Sequence, residues 1–474
     1  MVKESVLFAS SEVYPFAKSG GLADVSHSLP CALAEECDVC VVMPLYRFID
    51  REKFGIKPSG KAFEILIGST EYPIQWYECR MEGMRYRFVY SPLLCEKEYL
   101  YGPPEAGYED NAIRFGIFNY AIIELLKKER FSIAHLNDWQ CALVPLLIQS
   151  DPSIRTKTLY TIHNLAYQGT FEPSVLELLG LDKGCYTLDG IEFYGQVSFM
   201  KAGIAYSDRI NTVSPTYAKE IVTPEFGCGL EGFLQLHRDK LSGIVNGIDT
   251  DHFSPANDDT LKVPYSDLKG KRANKSGYLK ENRLKGIDKA LVVFIGRLTW
   301  QKGMDLLISI LPELAQLECN VAVLGEGESR YIESLESIAS EYPNLRLHCG
   351  YDETLAHRLY SAADFVFIPS LFEPCGLNQL IAFSYGALPV VRKVGGLADT
   401  VQPIDAFDPK SDGGFGITFE GSDEREVLNA IHRAFELYAH KRVLNPILRH
   451  NMGCDFSWKE SAKGYLNLYR MCRE

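Results

Sequence analysis

The stretch S-V-L-F-A-S at residues 5–10 is followed, after a short loop, by K-S-G-G-L-A-D-V at residues 18–25. The apolar run predicts a buried strand, and the glycine pair precedes a segment with a helical pattern over residues 22–34. A similar stretch, V-G-G-L-A-D-T, recurs at residues 394–400. Because glycine amides and a helix N-terminus attract anions, the two stretches predict two domains that bind one phosphorylated ligand.

Short apolar runs alternate with helical patterns along both halves of the chain. This alternation predicts an α/β protein with parallel sheets, built as two doubly wound, Rossmann-like domains. The polar segment 251–288 is the predicted linker between the halves, and its residues 268–284 have a helical pattern. The predicted strands are 5–10, 39–43, 63–67, 74–79, 86–90, 133–136, 158–162, 209–213, 291–295, 320–324, 345–349, 365–369 and 388–391, and the other predicted helices are 110–128 and 456–471.

The composition is that of a globular protein large enough for two domains. The chain has 474 residues, of which 46% are hydrophobic and 23% are charged. Its net charge of −13 argues against binding to nucleic acids or to anionic membranes. No apolar run has the length of a membrane span, and the first residues do not resemble a signal peptide. Thirteen cysteines without a repeating spacing indicate reduced thiols, so we expect a cytoplasmic protein.

Two short motifs are compatible with metal binding. Cys37 and Cys40 form a C-x-x-C, a zinc or redox motif, but no second pair lies nearby and a strand is predicted to follow at once. Asp249 and Asp251 form a D-x-D, which in some enzymes holds a metal on a nucleotide sugar. Its setting in N-G-I-D-T-D-H-F favours a turn closed by aspartate side chains instead. We therefore expect no metal at either motif.

Charged residues follow two predicted strands of the second half. Arg297 and Lys302 lie in G-R-L-T-W-Q-K-G, between a strand and a helix. Two cations near a helix N-terminus suit a diphosphate, although a solvated basic loop would have the same composition. Glu373 follows the strand 365–369, where it can accept hydrogen bonds from sugar hydroxyls or stabilise a helix N-terminus.

Polar residues also follow two strands of the first half. T-I-H-N-L-A-Y-Q-G places His163 and Asn164 just beyond a strand, and H-L-N-D-W places Asp138 at the end of another. A single histidine is more often structural than catalytic. However, ligands of open α/β sheets bind beyond the carboxyl ends of the strands, so this position favours a functional role.

Taken together, these motifs resemble those of the bacterial glycogen synthase and plant starch synthase family, retaining glycosyltransferases with the GT-B fold. The resemblance covers nearly the whole chain and depends on the combination and order of the motifs. They are K-S-G-G-L-A-D-V, H-N-L-A-Y-Q-G, K-A-G-I-A-Y-S-D, V-S-P-T-Y-A-K-E-I, G-R-L-T-W-Q-K-G, F-E-P-C-G-L, G-G-L-A-D-T and D-F-S-W.

The resemblance implies transfer of glucose from ADP-glucose to the non-reducing end of an α-1,4-glucan, with retention of configuration. Cations and backbone dipoles placed at the diphosphate would replace a metal, so we expect no metal or other cofactor. The resemblance also implies two Rossmann-like domains that face each other across a deep cleft. The acceptor-side domain would span residues 1–245 and the nucleotide-sugar domain 246–455, with a terminal helix at 456–474 that packs back on the first domain.

The resemblance also implies roles for individual residues of this chain. The resemblance places Arg297 and Lys302 at the diphosphate leaving group, Glu373 beside the donor glucose, and His163 and Asp138 at the reacting carbon and the acceptor. Gly395, Gly396 and Leu397 would offer backbone amides to the phosphates or the sugar. The donor-binding residues implied in this way are Lys18, Gly20, Gly21, Asp24, Asn164, Asn246, Cys375, Gly376, Leu377, Gly395, Gly396 and Leu397.

The chain departs from the family pattern at three positions. Asn137 stands where a histidine is often found, so the acceptor side departs from the family pattern. Asn378 replaces a common threonine, and Ile381 stands where many GT-B relatives have a second glutamate, so the ribose contact is unassigned. A tyrosine that contacts glucose is expected before the helix 110–128, and either Tyr101 or Tyr108 fits.

Three alternative functions fit the motifs less well than glucan synthesis. Another GT-B enzyme, such as a sucrose-type or trehalose-type synthase, would use UDP-glucose and a small acceptor. An inactive glucan-binding protein would lack the charged residues, all of which are present here. A dinucleotide oxidoreductase is disfavoured because no G-x-G-x-x-G follows the first strand. The sequence does not decide the oligomeric state.

Overall fold

A computed structural model of the chain describes residues 3–103 and 106–474. The chain divides into two compact units, called unit 1 and unit 2 below. Unit 1 comprises Met1–Asn246 together with Trp458–Glu474, and unit 2 comprises Gly247–Ser457. Each unit is built on its own sheet of mainly parallel strands that alternate with helices, so the two Rossmann-like domains predicted from the sequence are confirmed.

Unit 1 alternates strands and helices along the chain. Its strands are β1 (Glu4–Ala9), β2 (Cys37–Pro44), β3 (Lys57–Ile67), β4 (Thr70–Met81), β5 (Met84–Tyr90), β6 (Ile133–Asn137), β7 (Lys157–Ile162), β8 (Thr170–Phe171), β9 (Glu192–Phe193), β10 (Gln196–Ser198), β11 (Arg209–Thr212) and β12 (Leu241–Gly243). Its helices before the terminal one are α1 (Gly21–Leu33), α2 (Pro92–Cys95), α3 (Asn111–Lys128), α4 (Val144–Gln149), α5 (Val175–Leu179), α6 (Phe199–Tyr206), α7 (Pro215–Glu220) and α8 (Glu231–Leu236).

The large sheet of unit 1 has the order β12-β11-β7-β6-β1-β2-β5-β4-β3 within the described residues. Its strands are parallel from β12 to β5, and the last two pairings, β5 with β4 and β4 with β3, are antiparallel. A small antiparallel sheet, β8-β10-β9, lies outside it. The sequence did not predict these short strands, because each has only two or three residues and no resolvable period.

Unit 2 has one parallel sheet of order β15-β14-β13-β16-β17-β19-β18 in the part of the chain that the structure describes. Its strands are β13 (Ala290–Ile295), β14 (Cys319–Gly325), β15 (Leu345–Cys349), β16 (Phe365–Ile368), β17 (Leu388–Arg392), β18 (Val401–Pro403) and β19 (Gly414–Phe419). Its helices are α9 (Leu268–Glu281), α10 (Met304–Gln316), α11 (Ser329–Glu341), α12 (Glu353–Ala362), α13 (Asn378–Ser384), α14 (Gly395–Thr400), α15 (Glu424–Ala439) and α16 (Lys441–Gly453).

Each of the two large sheets has a topological switch point beside a central strand. In unit 1 the strand β1 lies between β2 and β6, and in unit 2 the strand β13 lies between β14 and β16. The loops after the two parallel strands of such a pair leave the same sheet edge in different directions and open a crevice for ligands. The loops after β1, β6, β13 and β16 carry most of the site residues predicted from the sequence.

The terminal helix α17 (Trp458–Arg473) packs on unit 1 rather than on the residues that precede it. The Tyr469 hydroxyl lies 2.8 Å from Nδ1 of His135 in β6, and the Asn211 amide in β11 donates to the Tyr465 hydroxyl at 3.0 Å. His135 is fully buried, and its burial holds the pKa of the imidazole well below the ordinary value. The helix therefore supplies hydrogen-bond partners to the interior of the unit 1 sheet.

The interpretation of residues 251–288 as a linker is wrong, although the helix predicted inside this segment is present as α9. Leu261, Tyr265 and Tyr278 are buried in the core of unit 2. The Lys271 ammonium is also buried and donates to backbone carbonyls on two other helical segments, at Tyr360 and Tyr385. The polar composition suggested a linker, but a few buried apolar residues are enough to anchor the segment in the core of unit 2.

The cysteines of the described chain are all free thiols. Cys37 and Cys40 lie on β2, where residues three apart point to opposite faces of the sheet, so they cannot share a ligand. Burial raises the pKa of both thiols to about 11, which makes them unreactive at neutral pH. Among the described residues, every helix is too short or too polar to span a membrane.

The packing of the former linker segment predicts a stability effect. Tyr265 is 5% exposed, and its hydroxyl donates to the Tyr385 carbonyl at 2.8 Å. Removal of a buried aromatic ring typically costs about 3–5 kcal/mol, so Tyr265→Ala should lower the free energy of unfolding of unit 2 by about that amount. Val263, which is 42% exposed, is the control, and Val263→Ala should change it by less than about 0.5 kcal/mol. Urea denaturation measures the free energy of unfolding of both variants. Equal values would contradict the placement of Tyr265 in the core of unit 2.

Candidate active site

The loop after β1 is organised by Glu12, a buried carboxylate that sequence reasoning did not single out. Its Oε2 accepts hydrogen bonds from the backbone amides of Ser19, at 2.5 Å, and Gly20, at 3.3 Å. Its Oε1 accepts from the hydroxyls of Ser19, at 2.7 Å, and Tyr101, at 2.6 Å. Burial raises the pKa of Glu12, while these hydrogen bonds act in the opposite direction. The carboxylate therefore fixes the backbone of the glycine loop.

The predicted donor-binding residues of this loop lie next to Glu12. Lys18 and Asp24 form an ion pair with 2.8 Å between Nζ and Oδ1, and both side chains are partly exposed. Asp24 and Gly21 lie in the first turn of α1, where an acidic side chain is stabilised by the helix dipole. The Gly20 amide donates to Glu12 in this structure, which differs from the expectation that it faces a ligand.

Asp138 has a strained backbone and a buried carboxylate. Its φ is +55°, a left-handed conformation that non-glycine residues adopt only at an energetic cost. Its Oδ1 accepts from the amides of His163, at 2.7 Å, and Asn164, at 3.4 Å, across two neighbouring strands. Burial raises the pKa of Asp138 to about 7, although the two amide hydrogen bonds act to lower it. This carboxyl therefore titrates close to neutral pH.

His163 is held as a neutral imidazole of defined tautomer. Burial lowers its pKa to about 3. The Asn137 amide nitrogen donates to the Ala9 carbonyl at 2.9 Å, which orients the amide so that its oxygen faces His163. Nε2–H of His163 donates to this oxygen at 2.9 Å, so Nδ1 keeps its lone pair. The asparagine in place of the common histidine thus acts as a hydrogen-bond acceptor for His163.

The predicted charged residues of unit 2 lie in the two loops that flank its switch point. Lys302, just before α10, lies 2.5 Å from Oε2 of Glu373, which follows β16. The Ser370 hydroxyl donates to the same Oε2 at 2.8 Å. Arg297 lies after β13, and its guanidinium donates to the Gln301 side chain at 3.3 Å. Two cations and one buried carboxylate are therefore presented at the carboxyl edge of neighbouring parallel strands.

The two glycines of the loop after β17 permit close packing against the Glu373 segment. Gly395 has φ +46°, and a Cβ atom there would lie 2.0 Å from the Glu373 carbonyl oxygen. A Cβ atom on Gly396 would lie 2.0 Å from the Cys375 carbonyl oxygen. Gly376 also has a positive φ, +71°, so its turn would be strained for any other residue. Glycine is required here by backbone contact.

Two of the amides expected at the ligand have partners within the protein in this structure. The Gly396 amide donates to the Glu373 carbonyl at 3.0 Å, and the Leu397 amide donates to the Val394 carbonyl at 3.0 Å. The resemblance implies that these amides face phosphate or sugar. Cys375 is buried beside Gly396, and Leu377 precedes the first turn of α13.

Of the two candidate tyrosines, Tyr101 is the one that contacts Glu12, the residue that fixes the glycine loop. Its hydroxyl contacts Glu12 and Ser11, whereas the Tyr108 hydroxyl accepts a hydrogen bond from the Tyr99 amide. Asn246 is buried at the end of unit 1, and its Oδ1 has no hydrogen-bond partner among the described residues.

The departures in unit 2 have structural roles. The Asn378 side chain donates to the Ile295 carbonyl at the end of β13, at 2.6 Å. Ile381 is buried in the core of unit 2, so its side chain is not available to a ribose. In the D-x-D, Asp249 Oδ1 accepts from the amides of Asp251 and His252, both at 3.0 Å, which is the turn favoured by the sequence.

Comparisons with known proteins agree on one family. Residues 5–236 match the starch synthase catalytic domain, and residues 289–436 match the glycosyl transferases group 1 domain. The chain is 39% identical to a glycogen synthase from Geotalea daltonii, covering 98% of both chains, and 40% identical to one from Aquifex aeolicus, again covering 98% of both.

Solved structures give the same result. The catalytic domain of starch synthase IV from Arabidopsis thaliana, bound to ADP and acarbose, is 32% identical over 100% of both chains, with a TM-score of 0.92. A sucrose-phosphate synthase from Thermosynechococcus elongatus is 18% identical with a TM-score of 0.63, a similarity of fold alone. The chain therefore belongs to the glycogen and starch synthase family of glycosyltransferases.

Proposed function

We propose that this protein transfers glucose from ADP-glucose to the non-reducing end of an α-1,4-glucan and releases ADP. The observation that carries the proposal is the set of Arg297, Lys302 and Glu373 at the switch point of unit 2. Two cations suit a diphosphate, and a carboxylate beside them suits sugar hydroxyls. Family membership supports this reading, since the matched starch synthase was solved with ADP.

In this proposal the cations stabilise the leaving group. Cleavage of the sugar–phosphate bond places negative charge on the diphosphate and positive charge on the sugar ring. Arg297 and Lys302 are fixed before the reaction by Gln301 and Glu373, so little reorganisation is needed as this charge develops. Because the side chains supply two positive charges, we propose that no metal ion is required for the transfer.

Glu373 has a second role as the acceptor of a sugar hydroxyl. Lys302 and Ser370 both donate to its Oε2, which leaves Oε1 to receive a hydrogen bond from glucose. Close backbone contact with Gly395 and Gly396 fixes the segment that carries the carboxylate. A sugar held at two or more points has a defined orientation of its reacting carbon.

Unit 1 contributes His163 and Asp138 to the acceptor side. The neutral imidazole offers the Nδ1 lone pair, and the Asp138 carboxylate can bind a hydroxyl or stabilise a positive sugar ring. We propose retention by front-face attack, in which the leaving phosphate takes the proton of the acceptor hydroxyl. Both carboxylates are already hydrogen-bonded by the protein, and a covalent glucosyl-enzyme trapped on Asp138 or Glu373 would refute this mechanism.

The activity itself is tested with radiolabelled donors. With ADP-glucose and a glycogen primer, we expect label in the polymer and stoichiometric ADP. UDP-glucose should react more slowly, and a chelator should leave the rate unchanged. Label in a small sugar, or no turnover of either donor while glycogen still binds, would contradict the proposal.

The leaving-group role predicts a specific kinetic effect. Arg297→Ala should lower kcat about a hundredfold or more, because charge stabilisation is lost mainly in the transition state. The control is Arg330→Ala, since the Arg330 side chain is 62% exposed on α11. A change confined to the KM of the donor would show that Arg297 acts only in ground-state binding.

Lys302 requires a paired design, because its removal also leaves the Glu373 carboxylate buried without its cation. We expect Lys302→Ala to lower kcat by a similar factor, and the double variant Lys302→Ala/Glu373→Gln to remain well below Glu373→Gln alone. Equal activity of the double variant and Glu373→Gln would mean that Lys302 acts only on the carboxylate.

The raised pKa of Asp138 predicts a conflict between activity and stability. The native carboxyl keeps its proton up to about pH 7, whereas the unfolded one loses it near pH 4, so the free energy of unfolding falls as the pH rises between these values. Asp138→Asn stays neutral, so its free energy of unfolding relative to that of the wild type should increase by about 1–3 kcal/mol when the pH is raised from 5.5 to 8.5. The same variant should lose at least about tenfold in kcat.

Urea denaturation at the two pH values measures the effect, with Asp405→Asn as the control because the Asp405 side chain is 85% exposed. A stability difference between Asp138→Asn and the wild type that does not grow with pH would contradict the titration assigned to Asp138.

A further inference from the structure

A second cluster of chemically active side chains lies in unit 2, apart from the residues assigned to glucose transfer. His252, Glu353 and His357 each place one ligand atom within 4.8 Å of the others. Glu353 and His357 are four residues apart on α12, so they project from one face of the helix. His252 comes from the turn that Asp249 closes, and its Nε2 lies 3.5 Å from Oε1 of Glu353.

The buried imidazole of His357 is the central feature of this cluster. The residue is 3% exposed, and its Nδ1 lies 2.8 Å from Oδ2 of Asp258. Oδ2 of Asp258 also accepts a hydrogen bond from the Tyr385 hydroxyl at 2.5 Å, and its Oδ1 accepts from the amide and the hydroxyl of Thr260 at 2.9 Å and 2.6 Å. The Asp258 side chain is thus an acceptor toward these partners, so Nδ1 of His357 carries the proton of its hydrogen bond to Asp258.

The other ring nitrogen of His357 is consequently a buried lone pair. Its Nε2 has no hydrogen-bond partner among the described residues. The rings of Phe253 and His252 pack against the imidazole, with centroids 5.1 Å and 4.9 Å away, which accounts for the burial of its carbon atoms. Aromatic packing does not satisfy a nitrogen lone pair, and buried polar atoms without partners are rare because they are costly.

We propose that His252, Glu353 and Nε2 of His357 bind one divalent transition-metal ion, with zinc as the best match and a water molecule as the fourth ligand. Two imidazoles and one carboxylate suit zinc, whereas magnesium and calcium prefer oxygen ligands alone. The Asp258–His357 pair is the arrangement that orients metal-binding histidines: a carboxylate holds one ring nitrogen, and the other faces the metal.

The distances permit this site with small side-chain movements. Ligand atoms around a tetrahedral zinc ion lie about 3.3 Å apart, given metal–ligand distances of about 2.0–2.1 Å. The cluster is within 4.8 Å, and the side chains of His252 and Glu353 are each about a third exposed, so they can rotate. His357, held by Asp258, is the fixed point toward which the other two ligands move.

The proposed ion would join the first residues of unit 2 to α12. An ion bound only by the folded chain stabilises it in proportion to its affinity and concentration. The site is distinct from Arg297, Lys302 and Glu373, so its role is to stabilise unit 2 and not to act on the sugar.

Zinc binding tests the proposal on the full-length chain. After treatment with a chelator and its removal, the wild type is titrated with ZnCl₂ against a chromophoric competitor, and bound zinc is counted by elemental analysis. We expect one equivalent assigned to this site, and His252→Gln and Glu353→Gln should each weaken its binding by at least about tenfold. Both side chains are partly exposed, so the variants should fold, which circular dichroism verifies.

A second cluster provides the matched control. His27, Cys31 and Glu82 of unit 1 also lie within reach of one another. Cys31→Ser should leave the proposed equivalent unchanged, and zinc should raise the melting temperature of wild type and Cys31→Ser but not of His252→Gln. The proposal is overturned if the wild type binds no zinc, or if His252→Gln and Glu353→Gln bind as much as the wild type with the same affinity.

Discussion

In each of the two large sheets, the chain leaves a central strand in opposite directions, and the loops on either side of that point diverge. This constraint of parallel topology determines where polar groups can approach a ligand without a break in the backbone ladder. In unit 1 it brings Glu12 and the glycine loop to the same edge as Asp138, and in unit 2 it brings Arg297 and Lys302 to Glu373. The chemistry of both units depends on this arrangement.

Buried carboxylates at these edges are each compensated in a different way. Glu12 receives backbone amides and hydroxyls, Asp138 receives two amides from the neighbouring strand end, and Glu373 receives an ammonium and a hydroxyl. For Glu12 and Asp138, burial raises the pKa and the hydrogen bonds that each carboxyl receives act to lower it. Asp138 accordingly has a raised pKa and also a strained backbone, which is a cost that a purely structural residue would not need.

The sequence predicted the central strands, the glycine loops and the charged residues, because each is encoded locally by an apolar run or a short motif. It did not predict Glu12 or Ser370. The role of Glu12 depends on its contacts with the glycine loop and with the distant Tyr101, and that of Ser370 depends on a turn that brings its hydroxyl to the Glu373 carboxylate. The segment 251–288 was misread because buried residues such as Tyr265 are few there, and their contacts lie more than a hundred residues away. The engagement of the Gly396 amide by Glu373 likewise depends on tertiary contact.

The terminal helix has a consequence for the order in which the chain can fold during synthesis. Unit 2 is continuous in sequence, but unit 1 includes Trp458–Glu474, which follow unit 2 along the chain. The hydroxyls of Tyr469 and Tyr465 therefore reach His135 and Asn211 only after the whole of unit 2 has been synthesised. Unit 1 begins to be made first, yet its interior closes only after unit 2 is complete.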